Sequence, residues 1–253
     1  MFQTLTTTIL VPINPFLTTN HHRMSIQICK HLLCWVALVV GFSTGNVWSN
    51  ESTSAPEKIK SAPDGSWIIQ YQYGFASDAD FLPSLLFLLD QSEERSKLHS
   101  FSIGRKISDT FLGHDIDVSL HLGIQYFDER GIQGNIVGAT GYWRLAKQTY
   151  LPFTRIPIKL SLAQGLSYVD DLPAAEVRDF EPDESAELTH YLEYGLYYSF
   201  RNQLAKNNSV FSQWFHDINL GYTIFHRSSV FGLFAETGGG INFPGIAVEF
   251  VLK

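Results

Sequence analysis

The amino-acid sequence predicts an all-β fold: an eight-stranded antiparallel transmembrane β-barrel of the outer-membrane type, following an N-terminal signal peptide. Apolar and polar residues alternate with period two in eight segments, each about the 9–11 residues that a tilted strand needs to cross a bilayer. One face of these segments is apolar and ends in aromatic residues, whereas the other face is small or polar. A soluble β-sandwich would fill its hidden face with bulky apolar side chains, so this distribution favours a barrel with lipid outside.

The composition of the 253-residue chain narrows the class further. The mean hydropathy of −0.01 is too polar for a bundle of membrane helices, but it suits strands whose polar and apolar faces cancel. The net charge is −7 and the sequence contains no basic cluster, which argues against a nucleic-acid partner.

Segment 24–49 is predicted to be a secretory signal peptide. A basic start precedes an apolar run over 32–42, and Ser49 offers a small residue for cleavage. The eleven residues of that run are too few to span a bilayer as a helix, which disfavours a membrane anchor. Residues 1–23 would then be an upstream extension, and cleavage would remove both cysteines of the chain.

Residues 50–66 are rich in serine and proline and predict a flexible leader, so the barrel is expected over 67–253. The clearest strand is 115–126, in which every second residue from Ile116 to Tyr126 is apolar. Seven other segments show the same period, some of them more weakly. The predicted strands cover 67–75, about 99–107, 115–126, about 135–146, 158–168, 190–200, about 215–226 and 243–252.

An eight-stranded barrel has a narrow interior that side chains largely fill, which argues against a wide diffusion pore. Closure also satisfies every backbone polar group in lipid, because no strand edge remains. A soluble lipocalin-like barrel is the alternative fold. A transporter or small-solute channel is a further hypothesis, although we favour a plugging salt-bridge network for the lumenal charges. Those charges are Asp115, Asp117, Lys159 and Glu193.

The connections at 76–98, 127–134, 169–187 and 227–242 are expected to face the exterior, because the first strand runs outward from the periplasm. Residues 81–98 break the alternation, and the sequence does not decide between a helix and an irregular loop. The connection 169–187 holds eight acidic residues and one arginine. We expect a solvated acidic loop there, with a divalent-cation site that bridges to phosphorylated surface lipid as the alternative.

The seventh strand ends in the triplet His226-Arg227-Ser228. Its apolar face carries Ile218, Leu220, Tyr222 and Ile224, and the same parity places His226 and Ser228 on the outer wall. Arg227 falls on the opposite parity, whereas Asn242 on the eighth strand shares the outward one. Three polar groups are therefore predicted to meet on the lipid-facing wall, near the outer end of the barrel.

Polar side chains among acyl chains cost free energy unless they pair or reach the headgroup layer. One interpretation makes His226 and Ser228 interfacial residues. The other makes them a catalytic pair: Ser228 attacks an ester carbonyl, His226 takes its proton, and Asn242 or Glu236 orients the imidazole. A backbone amide of the glycine-rich stretch 236–243 would then stabilise the oxyanion. We infer neither a metal nor an organic cofactor for this chemistry.

The stretch "HRSSV" at 226–230 resembles the motif of the PagL-type lipid A 3-O-deacylases of Gram-negative outer membranes, His-x-Ser-Asn-Ala near a strand end. His226 and Ser228 match, whereas Ser229 and Val230 replace the family's Asn and Ala. The family's glutamate would fall fourteen residues after the histidine, where this chain has glycine. That glycine is Gly240, and Glu236 and Asn242 are the substitutes nearby.

The resemblance implies an outer-membrane barrel whose active site on the outer wall removes an acyl chain from lipid A. Outer-leaflet lipid, that is lipid A or lipopolysaccharide, is then the expected partner of this membrane-embedded chain. Arg227 would help to hold a lipid phosphate with its guanidinium group. The alternative function is a non-enzymatic structural or binding barrel that acts through its extracellular loops. The sequence leaves a homodimer open.

Overall fold

The computed structural model describes residues 59, 61–79, 81–129, 131–132, 134–152, 154, 156–179, 186–206, 210–228 and 240–253. They form a closed antiparallel barrel of eight strands in sequential order, in which β1 pairs with both β2 and β8. The strands are β1 (Trp67–Phe75), β2 (Lys97–Phe111), β3 (His114–Glu129), β4 (Gly134–Tyr150), β5 (Pro157–Val169), β6 (Leu188–Ser199), β7 (Phe215–Ser228) and β8 (Gly240–Leu252). The prediction of an all-β, eight-stranded antiparallel barrel is confirmed.

Among the described residues, four short helices lie in the connections: α1 (Phe81–Leu85), α2 (Ala174–Asp179), α3 (Arg201–Lys206) and α4 (Val210–Trp214). In this part of the chain, no helix is long and apolar enough to cross a membrane. We call the end of the barrel where β1 connects to β2 the upper end, and the opposite end the lower end. The connections that hold α1 and α2 lie at the upper end, as does the β7–β8 connection.

The period-two pattern sets the two faces of the barrel wall. In β1, Ile68, Gln70 and Gln72 are buried in the lumen, while Trp67 and Tyr71 are exposed outside. All eight strands expose large apolar side chains on the outer wall, so an apolar belt surrounds the barrel. The belt includes Tyr71, Phe101, Leu122, Val137, Leu166, Leu188, Leu220 and Ile246.

The middle of the lumen is filled by a cluster of charged and polar groups around Glu249. Arg144 Nη2 donates to Glu249 Oε2 at 2.5 Å, Asn219 Nδ2 donates to Oε1 at 2.9 Å, and Lys159 is a third partner. The network continues from Arg144 through Gln70 to Glu193. Lys159 and Glu193 therefore belong to a plugging network, as predicted from their parity. Of the other two charges predicted for it, Asp117 pairs with Lys106 at the lower end, and Asp115 is exposed near the β2–β3 turn, so that part of the prediction is wrong.

The upper lumen departs from the prediction of small and polar side chains. Phe127, Tyr191, Phe225 and Phe243 are fully buried there, with ring centroids 5.2–6.4 Å apart. Because bulky apolar residues line the inner face there, polar and apolar residues do not alternate near these strand ends. This explains why β3 reaches Glu129, whereas the sequence pattern ends it near residue 126.

Helix α2 closes the upper end of the lumen. Ala175 is buried with the aromatic residues, and Glu176 Oε2 accepts a hydrogen bond from Arg227 Nε at 3.2 Å. Burial raises the pKa of Glu176, while the neighbouring Arg227 guanidinium opposes that rise. The helix is thus held by an apolar contact and an ion pair.

The lower end is closed in part by residues that precede β1. Lys106 Nζ donates to Ser61 Oγ at 2.6 Å and to Ala62 O at 2.5 Å, and it forms an ion pair with Asp117 at 2.8 Å. Of the predicted leader 50–66, the structure describes residues 59 and 61–66. In that described part, Ser61 and Ala62 contact the barrel wall directly.

Candidate active site on the outer wall

Strand pairing brings the predicted site residues together on the outer face at the upper end. His226 on β7 is the direct partner of Asn242 on β8, and Ser228 is the partner of Gly240. His226 and Ser228 are half-buried. Arg227, which lies between them in the chain, and Phe225, which precedes them, are fully buried in the lumen. The structure therefore gives His226 and Ser228 the outward orientation expected from their parity.

The guanidinium of Arg227 is not on the outer wall, where a residue that binds a lipid phosphate would have to lie. Its guanidinium lies inside the barrel, where Nη1 donates to Ser167 Oγ at 2.8 Å and Nε donates to Glu176. The expectation that Arg227 holds a lipid phosphate is therefore wrong, because the side chain is fully buried and binds groups of the lumen and of α2.

A hydrogen bond joins His226 to Asn242. His226 Nδ1 lies 2.7 Å from Asn242 Oδ1, and Asn242 Nδ2 donates to Ala79 O at 2.9 Å. A backbone carbonyl only accepts, so the amide nitrogen of Asn242 must face Ala79 and its oxygen must face the imidazole. Nδ1 of His226 then carries the hydrogen, and the lone pair of the neutral ring is on Nε2.

Because Gly240 has no side chain, the imidazole of His226 can occupy the space beside it. A Cβ at this position would lie 2.7 Å from His226 Cε1, 2.9 Å from Ser228 Cβ and 2.4 Å from Arg227 O. The imidazole and the serine side chain therefore flank one point on the wall. Gly240 is also the position of the glutamate in the resembling family, and no side chain fits there without moving His226 and the β7 backbone. Asn242, two residues further along, orients the imidazole instead.

Ser228 and His226 are neighbours on one strand face, two residues apart. Within the described ranges, no hydrogen bond joins Ser228 Oγ to His226. In enzymes, the hydrogen bond between a nucleophile and its base is often long without substrate and tightens when substrate binds. The arrangement thus supplies a hydroxyl, an oriented imidazole and an orienting amide on one patch of wall.

Residues 78–90, which we call the wall segment, cover one side of this patch. The sequence did not decide between a helix and an irregular loop for residues 81–98. In the structure, this stretch begins with α1, which packs against β7 and β8. Tyr222 OH donates to Ser84 O at 2.8 Å, and the ring of Tyr222 lies 4.5 Å from that of Phe87. The outward side chain of Ile224 is fully buried as a result. Four apolar side chains of the segment, Leu86 to Leu89, remain 42–65 % exposed.

Two contributors to the site were missed at the sequence level. The first is the backbone carbonyl of Ala79, which no side-chain pattern could reveal. The second is His190 on β6, the direct partner of Ser228 on the side away from Gly240. His190 shares the parity of Leu192 and Tyr194, so the alternation of β6 could have placed it on the outer wall.

Other predicted features lie partly or wholly beyond the described residues. Glu236, the second candidate for orienting His226, lies outside them, as do residues 229–239 in general. The acidic connection 169–187 is described except for 180–185. Among the residues that the structure does describe, no group of three or more His, Cys, Asp or Glu side chains could hold a metal ion.

A scan against protein-family models gives no match, and a search of the curated proteins gives none either. The function proposed for this chain therefore rests on the geometry of the outer-wall site and on the motif at 226–230.

Proposed function

We propose that this barrel lies in the bacterial outer membrane and hydrolyses an acyl ester of an outer-leaflet lipid, removing one acyl chain from lipid A. Ser228 is the nucleophile, His226 the general base and acid, and Asn242 the residue that orients the imidazole. One observation carries the proposal: the hydrogen-bonded His226–Asn242 pair lies beside Ser228 on the outer wall, whose exposed side chains are mostly large and apolar.

The apolar belt supports a lipid environment. It extends over all eight strands, so a single protein partner would leave much of it in water. A closed barrel also leaves no strand edge unpaired, which is the condition for spanning a bilayer with strands. The predicted signal peptide agrees with export to an outer membrane.

The wall segment supports the same environment in a different way. Backbone polar groups in contact with lipid must be satisfied inside the protein. Leu86 N and Leu88 N both donate to Pro83 O, at 2.9 and 3.0 Å, and Phe87 N donates to Ser84 O at 3.1 Å. Tyr222 OH adds a second donor to Ser84 O. The segment can thus expose Leu86 to Leu89 to acyl chains with these backbone groups paired.

The chemistry follows from the tautomer of His226. Ser228 Oγ adds to the ester carbonyl carbon while its proton passes to His226 Nε2, which has the lone pair. Asn242 accepts from Nδ1–H throughout and stabilises the imidazolium that forms. The C–O bond then breaks, the leaving alkoxide takes the proton from Nε2, and water releases the fatty acid from acyl-Ser228 by the reverse sequence.

Lipid A is the substrate we favour because the site lies at the upper end. The two longest connections between strands, 76–96 and 170–187, are at this end, which faces the exterior when β1 runs outward. The nucleophile is then at the level of the outer leaflet, whose lipid carries ester-linked acyl chains close to its headgroup. The resemblance of "HRSSV" to the lipid A 3-O-deacylase motif points to the same substrate.

Mass spectrometry of lipid A tests the proposal in cells that express the wild type, Ser228→Ala or the control Ser108→Ala. Ser108 lies on β2 and bonds to Thr110, away from the site. We expect the loss of one hydroxyacyl mass with the wild type and the control, and unchanged lipid A with Ser228→Ala. Cleavage that persists in Ser228→Ala would overturn the assignment. Unchanged lipid A with a correctly inserted wild type would leave a non-enzymatic barrel that acts through its loops.

A further inference from the structure

We propose that His190 is a third catalytic residue of this site and that its imidazole N–H stabilises the oxyanion formed at the substrate carbonyl. The inference rests on the proposed ester hydrolysis and deepens it. His190 lies on the outer face of β6, between the buried residues Thr189 and Tyr191, and is paired in register with Ser228.

An unpartnered ring nitrogen distinguishes His190 from the rest of the outer wall. Its Nε2 is buried and has no hydrogen-bond partner. In the described part of the chain, the other buried side-chain atoms without a partner belong to residues that point into the lumen: Gln72, His121, Gln125, Thr140, Arg144, Ser161, Tyr197, Asn219 and Thr223. A buried polar atom without a partner costs free energy, and a substrate atom that it binds is one explanation for keeping it.

The position of His190 suits a donor on the far side of the nucleophile. Direct cross-strand partners have Cβ atoms about 4.5–5.5 Å apart, and diagonal neighbours such as His190 and His226 lie about 7–8 Å apart. Ser228 is therefore flanked by His190 on the β6 side, and by the His226 ring and Gly240 on the β8 side. A carbonyl attacked by Ser228 Oγ can lie between the two imidazoles.

The other described side chains near Ser228 supply no N–H for this task, so His190 would act beside the backbone amide expected from the stretch 236–243. Leu192 and Gly240 bring no side-chain N–H, and the amide N–H of Asn242 is directed to Ala79 O. The guanidinium of Arg227 is inside the barrel. Among the described side chains around Ser228, His190 is thus the one that can donate to an oxyanion while His226 accepts the proton.

The step balances with these groups. A lone pair of Ser228 Oγ forms the bond to the ester carbonyl carbon, and the hydroxyl proton of Ser228 goes to His226 Nε2. The π electrons of the carbonyl move to the carbonyl oxygen. That oxyanion accepts a hydrogen bond from His190 in its Nε2–H tautomer, without proton transfer. When the carbonyl re-forms, the alcohol leaves with the proton from His226 and the hydrogen bond from His190 weakens.

The test uses the full barrel in detergent micelles with a long-chain p-nitrophenyl ester, measuring kcat and KM separately. We expect His190→Ala to lower kcat by about 10²–10³-fold, the usual loss for one oxyanion donor, with little change in KM. His190→Gln keeps an N–H donor, so its kcat should exceed that of His190→Ala by at least about tenfold. The matched control is His99→Ala, because His99 is an outer-wall histidine on β2 that bonds to Tyr71.

The outcomes separate this inference from the proposed function. If Ser228→Ala is inactive but His190→Ala keeps the wild-type kcat, the role of His190 is overturned and the hydrolase remains. An increase in KM alone, or equal kcat values for His190→Ala and His190→Gln, also overturns the role. If the folded wild type cleaves no ester, both proposals fall. Circular dichroism checks that each variant keeps the β-barrel, and His190→Gln is the conservative variant if His190→Ala does not fold.

Discussion

The Glu249 cluster in the lumen and the His226–Asn242 pair on the outer wall are both polar arrangements in apolar surroundings, but they differ in how completely they are enclosed. Glu249 receives Arg144, Lys159 and Asn219 from three other strands and is fully buried. His226 and Ser228 remain half-buried on a wall that faces away from the core.

The contrast shows where a polar residue is informative in a barrel. Inside a narrow barrel, charges that pair across the lumen hold the strands together, so Lys159 or Glu193 needs no further function. On the outer wall, polar residues such as His226 and Asn242 interrupt an apolar belt and do not pair across the lumen. We therefore expect mutations in the lumen to change stability and mutations on the wall to change activity.

The largest effect on stability should come from Glu249→Leu. The substitution leaves Arg144 and Lys159 buried without their carboxylate, and breaking one partner of a buried ion pair costs about 3–5 kcal/mol. Guanidinium unfolding in micelles, followed by circular dichroism, measures the loss. Ser228→Ala is the comparison and should stay within about 0.5 kcal/mol of the wild type. Equal stability of the two variants would contradict the division between lumen and wall.

Asn242→Leu should have the largest effect on activity among the residues that position His226. Without the amide oxygen, nothing fixes the proton on Nδ1, and the competing tautomer places it on Nε2, where it blocks proton transfer from Ser228. We expect kcat to fall by at least about 10²-fold, toward the roughly 10⁴-fold seen when a triad loses its tautomer control. The p-nitrophenyl ester assay measures this.

Asn242→Asp is the matched variant. It keeps an acceptor for Nδ1–H but loses the donor to Ala79 O, so its kcat should lie above that of Asn242→Leu. Similar losses in both variants would mean that the wall-segment contact, rather than the imidazole, decides the role of Asn242.

The sequence predicted the fold to a greater depth than the site. Alternation identified eight strands, because lumenal and outward residues differ in polarity through the middle of each strand. It failed near Phe127 and Phe225, since the upper lumen is packed with aromatic rings and both faces become apolar. The same parity placed His226, Ser228 and Asn242 on one wall. It could not reveal Ala79 O or the wall segment, because these depend on how a connection folds back over β7 and β8.

Tyr222→Phe should have a smaller effect that connects the wall to the site. The ring contact with Phe87 persists, and Ser84 O keeps Phe87 N as a donor but loses the phenol, a hydrogen bond worth about 0.5–1.5 kcal/mol. We expect faster hydrogen exchange at Leu86 and Leu88, whose amides bond to Pro83 O. The kcat should fall less than in Asn242→Leu, because Ala79 is only indirectly loosened. Unchanged exchange would show that the segment is held by other contacts.

The smallest predicted effect has the opposite sign and lies away from both regions. The two-residue turn between β2 and β3 holds Leu112 at φ 51° and Gly113 at φ 78°. A leucine in this left-handed conformation costs about 1–2 kcal/mol, whereas asparagine tolerates it and suits such hairpin turns. Leu112→Asn should therefore stabilise the barrel by about 1 kcal/mol in guanidinium unfolding, and Leu112→Ala should not. Because the turn shares no partner with Glu249 or His226, the gain should add to the Glu249→Leu loss and leave kcat unchanged. A non-additive result would mean that the β2–β3 register, which shifts between Lys106 and Thr110, transmits the change into the lumen.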